Sequence, residues 1–259
     1  MRQALIKKPK EIELIAEGGK LLAKILDEVL AAALLGITTQ ELDAMAEQKI
    51  RACGGLPAFL HYRDLESDPP FPSTICASIN EQLVHTPAGP RTLAAGDILT
   101  VDIGMRYPAK KGLYTDMAKT IPIGRVNAAA QRLLAVTTKA LELGIAAARP
   151  GNHISDIGKA VQHYVEAQGF SVVRSLVGHG VGYAVHEEPR VPNYFNPRLP
   201  DLELKPGMVL AIEPMVNVGS YEISTLDDGW TVVTQDGSLC AHQEHTIAVT
   251  DGEARILTQ

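Results

Sequence analysis

Two stretches of the chain carry the same signature in the same order. Gly96-Asp97-Ile98-Leu99-Thr100-Val101-Asp102 and Gly207-Met208-Val209-Leu210-Ala211-Ile212-Glu213 each set an acid six residues after a glycine, behind alternating apolar residues. A second acid follows each one, Asp116 and Glu244, and a Val-His pair precedes each, Val84-His85 and Val185-His186. Each half also runs long helix, loop, capped helix, glycine, strands. Chance could supply any one match, but the ordered set points to a duplicated α+β unit. Two such units facing each other across a pseudo-twofold would bring four carboxylates together at the centre.

The first repeat shows how the acids are presented. Leu99, Val101 and Ile103 alternate with Thr100 and Asp102, so a strand buries the apolar three on one face and turns Asp102 to the other. After a short basic turn from Arg106 to Lys111, GLYTDMAKT can pair back as an antiparallel strand carrying Asp116. Two carboxylates on neighbouring strands repel each other and lose water, and protons or metal ions are the usual remedy. The plain alternative is a solvated strand face with two unrelated aspartates.

Around these stretches the pattern predicts a helix over residues 9–35, opened by Pro9 and closed at Gly36, and a second from the capping box Thr38-Thr39-Gln40-Glu41 to Cys53, stopped by Gly54-Gly55. Residues 56–72 read as an irregular loop, and residues 74–79 and 82–85 as strands. Helices are expected over 128–148 and, capped by Ser155, up to Gln168 before Gly169. A strand over 170–177 leads to the glycine-rich GHGVG, and 189–206 reads as a second proline-rich loop. Further strands are expected at 209–216, 222–225, 231–234 and 244–249. The whole is expected to be one catalytic domain over 1–259, with halves of about 9–125 and 126–251.

A charge of −6 without a long basic block argues against nucleic acid or anionic membrane as principal ligands, and Lys7, Lys8 and Lys10 read as a solvated helix start. Cys53, Cys76 and Cys240 form no CxxC pair, which speaks against a disulfide framework or zinc ribbon and fits a reducing cytosol. No apolar run reaches transmembrane length, and no signal-peptide pattern opens the chain. A cytoplasmic, water-soluble protein is expected.

Four carboxylates cannot share one site as bare anions, so cations are expected there. Four acids and one imidazole suit a pair of ions bridged by shared carboxylates. His179, between the glycines of GHGVG, is the natural imidazole. One nitrogen among several oxygens favours Mn, Fe or Co over calcium and is too hard for a thiolate-type zinc site. Such a pair can generate hydroxide near neutral pH and clamp a carbonyl oxygen for hydrolysis. His85 and His186 are left to donate hydrogen bonds to a substrate carbonyl and its leaving amide, or else to serve as capping or core histidines. Asp227-Asp228-Gly229 reads as a turn, His61, His153 and His163 as surface residues, and Cys53 and Cys240 as small core residues.

The segments SINEQLVH, GDILTVDIG, TDMAKT, VGHGVGYAVHEEP, KPGMVLAIEPMV, DDGWTV and QEHTIAVT resemble the signatures of type I methionine aminopeptidases, of the pita-bread (creatinase/aminopeptidase) fold. The resemblance covers nearly the whole chain and implies an α+β protein with a central antiparallel sheet covered by helices. It implies two divalent ions (Co, Mn, Fe or Zn) and removal of the initiator methionine from nascent proteins when the next residue is small, through a water or hydroxide bridging the ions. By the family's pattern Asp102 chelates one metal, His179 and Glu213 bind the other, and Asp116 and Glu244 bridge both. Glu213 would accept the water proton, and His85 and His186 would contact substrate. Phe71, Cys76 and Trp230 match the lining of the methionine pocket, where sulfur and ring faces suit a thioether, although ordinary core packing would also explain them. Methionyl peptides, a transient ribosome contact, the monomeric state and no membrane are the partner expectations. With no long amino-terminal extension, the chain resembles the short bacterial form.

The chain departs from the family's pattern in a longer turn between Asp102 and Asp116, in TPAGP after His85, in Val185 at a usually aromatic place, and in an enlarged loop over 60–70. Two rivals share the fold: a proline-directed peptidase acting on Xaa-Pro peptides or prolyl dipeptides, and a non-catalytic module that binds proteins such as histones or ribosomal factors. The former usually carries an extra amino-terminal domain. The latter tends to lose ligands, whereas all five stand here.

Overall fold

The alternation at residues 98–103 becomes the strand Ile98–Tyr107, paired antiparallel with Leu113–Pro122 in an unbroken register from Ile98↔Pro122 to Tyr107↔Leu113. Asp102 lies opposite Ala118 and Asp116 opposite Gly104, so both acids share one face and the longer hairpin tip disturbs neither. The strand Ile75–Ile79 pairs along the other edge of Ile98–Tyr107. A computed structural model, the structure describes residues 5–63, 65–66 and 69–259. The 60–70 loop therefore lies partly outside the described residues.

Helices α1 (Pro9–Ala32) and α2 (Thr39–Ala52) cover the apolar face of this hairpin. Leu22, Leu26, Val29, Leu42 and Ile50 pack there with Leu99, Val101 and Ile103 in one buried cluster. Thr38 caps α2 as expected, accepting from the Glu41 N–H while the Glu41 carboxylate takes the Thr38 N–H. Helix α1 stops three residues early, because the Ala33 N–H bonds back to Leu30 and leaves Leu34 and Leu35 exposed before Gly36 turns the chain at φ +85°.

In the second half of the chain α3 (Ala128–Ala147) and α4 (Ile154–Ala167) pack on strands that include Val209–Ile212 and His245–Ala248. Four expectations for this half need correction. Ser155 is not the cap of α4. His153 is, and its N–H is taken by Asp156, while Ser155 binds Asp201 from inside the first turn. The strand expected over 170–177 is only Ser171–Val172, beyond which residues 175–177 turn toward a cavity. The loop expected over 189–206 begins with a strand, Glu187–Val191, which tolerates Pro189 because it lies at a sheet edge. The run 209–216 breaks at Pro214, which has no N–H to give a ladder. It yields Val209–Ile212 and Met215–Asn217 in different sheets, with Glu213 at the crossing.

The halves meet along Leu113–Pro122. Thr246 Oγ1 accepts the Asp116 N–H and donates to the Asp116 carbonyl, and the Glu244 N–H donates to the Ala118 carbonyl. Thr120 Oγ1 binds His242 in the same two-way fashion. These buried bonds set the second half's acids beside those of the first. Among the described residues no helix is long and apolar enough to cross a membrane.

Candidate metal centre

One cavity of about 730 Å³ is lined by Asp102, Asp116, His179, Glu213 and Glu244, together with His85, His186, Phe71, Cys76 and Trp230. Residues 178 and 180 must be glycine to hold His179 there. A Cβ on Gly178 would lie 2.4 Å from the Ala211 carbonyl oxygen and one on Gly180 2.3 Å from that of Glu188, because neighbouring strands press on both sides. Nδ1 of His179 donates to the Gly180 carbonyl at 3.0 Å, which leaves the Nε2 lone pair facing the acids. That nitrogen is 3.4 Å from Glu213 Oε1 and 4.0 Å from Asp116 Oδ2. Glu213 is itself steadied by buried Asn193, whose amide donates to its carbonyl at 2.9 Å.

The acids fall into groups whose donor atoms lie within 4.8 Å of one another: Asp102, Asp116 and Glu244 on one side, His179, Glu213 and Glu244 on the other, and Asp116 with His179 and His186 between. Asp102 Oδ1, Asp116 Oδ1 and Glu244 Oε1 are buried without a hydrogen-bond partner among the described residues. Burial and mutual repulsion push the carboxyls of Asp116, Glu213 and Glu244 well above the usual range, and burial brings Asp102 up to about 7. Burial and neighbouring histidines hold His179 down to about 3. Orphaned buried oxygens beside an imidazole lone pair are what a hard-to-borderline divalent cation satisfies, so the donor set fits metal ions.

The substrate candidates sit around this cluster. The His186 ring packs edge-on against His179 at 4.6 Å between centroids, and its Nδ1 lies 2.8 Å from the Tyr62 hydroxyl. His85 reaches the cavity from a left-handed backbone, φ +57°. Phe71 and Trp230 meet edge to face at 5.2 Å, in a cluster with Cys76, Phe59 and Val185. Sequence reasoning missed His242. Its ring is buried, lines the same cavity, and comes within 3.6 Å of Glu213 Oε2. The available signal was its place two residues before Glu244. His61, His153 and His163 are exposed, as expected.

The metal-stripped protein should carry a pH signature. A folded-state pKa raised above the unfolded value gives stability that is lost as pH rises through the folded value, and the four acids are of this kind. His179 and His242, lowered from 6.5 to about 3, act oppositely, and only as pH falls below the unfolded value. Taking chelator-treated protein from about pH 8 to about pH 6.5 is therefore expected to raise its thermal midpoint, since stability grows by about 1.4 kcal/mol per pH unit for each proton the folded state holds in excess of the unfolded one. Below that range the histidines oppose the gain. A midpoint that falls across the same interval would contradict the crowding of the four acids.

The chain matches the model of metallopeptidase family M24 over residues 13–251. It is 45% identical to methionine aminopeptidase 1 of Bacillus subtilis, over 98% of this chain and 99% of that one. Among solved structures it superposes on methionine aminopeptidase from Rickettsia prowazekii with a TM-score of 0.91 at 36% identity, covering 98% and 99% of the two chains. A prolidase from Pyrococcus horikoshii shares the fold at a TM-score of 0.78 and 22% identity, with 98% of this chain covering 63% of that one. The architecture is the pita-bread fold, and the chain belongs to metallopeptidase family M24, in the branch of the methionine aminopeptidases.

Proposed function

We propose that the chain releases the amino-terminal methionine of peptides and nascent proteins whose next residue is small, with its five clustered ligands holding two divalent ions. The observation that carries this reading is the convergence of an acid–imidazole cluster and an aromatic–thiol pocket in one cavity. Asp102 would serve one ion and His179 and Glu213 the other, with Asp116 and Glu244 shared, and the occurrence of Glu244 in both principal groups supports that division. Ions held there supply Lewis-acid polarisation of a carbonyl oxygen and ease the deprotonation of water.

The protein's own groups do the rest. Phe71, Cys76 and Trp230 take the thioether side chain against ring faces and sulfur. Glu213, which shares a donor group with His179 and Glu244, accepts the proton of the attacking water. His85 and His186 donate hydrogen bonds to the scissile carbonyl and the leaving amide, and the proton taken up by Glu213 passes to the new amine as the C–N bond breaks. The duplicated halves, about 9–125 and 126–251, act in this reading as one catalytic domain, since each supplies acids to the same cavity. A cytoplasmic monomer that meets nascent chains transiently at the ribosome suits that substrate.

The test is to strip the protein of metal and titrate it with Mn, Fe, Co and Zn while following Met-Ala-Ser and Ala-Pro in parallel. Methionine release should return with metal, and Ala-Pro should stay intact. Cleavage of Ala-Pro alone would move the chain to the proline-directed reading, and no cleavage with any metal would end the catalytic one.

A further inference from the structure

His242 ends the short strand Cys240–His242 and is 1% exposed, yet among the described residues neither ring nitrogen has a hydrogen-bond partner. Its place is tightly specified. The backbone N–H and carbonyl both bind Thr120 Oγ1, at 2.9 and 2.7 Å, and Thr120 is in turn bonded to Thr100 Oγ1 at 2.8 Å. The ring therefore stays where the seam between the halves puts it. Nε2 lies 3.6 Å from Glu213 Oε2 and 3.9 Å from Glu244 Oε2, just beyond hydrogen-bond length. A buried imidazole with two idle nitrogens costs stability unless something uses them.

Two arrangements are chemically open to a nitrogen facing carboxylates: it can join them around a cation, or it can offer them a proton. Among the described residues His242 completes none of the groups whose donor atoms gather within 4.8 Å, whereas His179, across Glu213, does. A lone pair turned toward carboxylate oxygens is repelled, while an N–H is attracted. We infer that His242 is a positioning residue that presents Nε2–H to the Glu213 and Glu244 carboxylates and fixes which of their oxygens remain for a cation. The inference rests on reading Glu213 and Glu244 as metal ligands. His242 would then be to the glutamates what the Gly180 carbonyl is to His179, an outer partner that orients a ligand.

The test reads metal affinity rather than turnover. Metal-stripped parent, His242→Gln, His242→Phe and Glu213→Gln are titrated with Mn²⁺ by calorimetry. His242→Phe fills the space without a donor and should weaken binding about 10- to 100-fold, the usual cost of losing an outer partner. His242→Gln keeps an N–H and should recover most of that loss. Parental affinity in His242→Phe, alongside lost affinity in Glu213→Gln, would overturn the inference alone. Parental affinity in both would overturn the ligand reading with it. Should the Phe variant not fold, the parent decides: ring ¹⁵N spectra of the Zn²⁺-loaded protein should show His242 protonated on Nε2 and His179 shifted as a ligand. A His242 Nε2 that is metal-shifted or unprotonated would overturn the inference.

Discussion

Asp102→Asn should reduce metal-dependent release of methionine to background while leaving a folded protein. The change is isosteric, so the strand Ile98–Tyr107 keeps its register and its packing under α1. What goes is one of the three acids that close the Asp102, Asp116 and Glu244 group, and with it the charge that offsets a dication. Burial already makes the Asp102 carboxylate costly without metal, so the chelator-treated variant should melt no lower than the parent. His85→Ala makes the informative contrast. His85 lies on the cavity wall and belongs to none of the donor groups. Its loss should slow turnover of Met-Ala-Ser by about 10²- to 10³-fold, the range for removing one transition-state donor, with metal content near the parent's. Elemental analysis beside initial rates separates the two effects. Parental rates in both variants would show that the acids and histidines are misassigned.

How much of this was legible without coordinates follows from the range of the forces involved. The hairpin carrying Asp102 and Asp116 could be read because strand alternation is local and strong, and so could the Thr38 capping box. His179 could be singled out as an imidazole for the acid cluster because two glycines around a histidine record close backbone approach. That Gly178–Gly180 is itself a short strand could not be read, since only its neighbours in the sheet make it one. The misreadings lie where a distant partner decides. Ser155 looks like a cap until Asp201 claims its hydroxyl, and the strand after Val172 ends because its neighbour, Met215–Asn217, is itself short. His242 was overlooked because its meaning depends on Glu213, reached across the interruption at Pro214. Lys7 was misread most completely, as part of a solvated helix start.

Lys7 is 2% exposed, and its Nζ sits 2.5 Å from Glu187 Oε2, between residues 180 positions apart. The other Glu187 oxygen accepts the Ala184 N–H at 2.7 Å and so closes the turn that delivers His186 to the cavity. The Lys7 stem runs against Gly182, where a Cβ would come within 2.6 Å of its Cε, and its ammonium lies 4.5 Å from the centre of the Tyr183 ring. Lys7→Met keeps the stem but leaves the Glu187 carboxylate largely out of water without its cation. Breaking a buried pair from one side costs about 3–5 kcal/mol. At a few degrees per kcal/mol for a chain of this size, the thermal midpoint should fall by roughly 10 °C. Removing both charges should cost less than removing one, because an apolar pair leaves no charge stranded, so Lys7→Met/Glu187→Met should recover part of the loss despite forfeiting the Ala184 bond. Urea denaturation of the parent, both single variants and the double one measures the coupling. A Lys7→Met protein within about 0.5 kcal/mol of the parent, as for an ordinary surface substitution, would mean that the pair is as weak as a solvated one. The turn bearing His186 would then have to be held by its strand pairing alone.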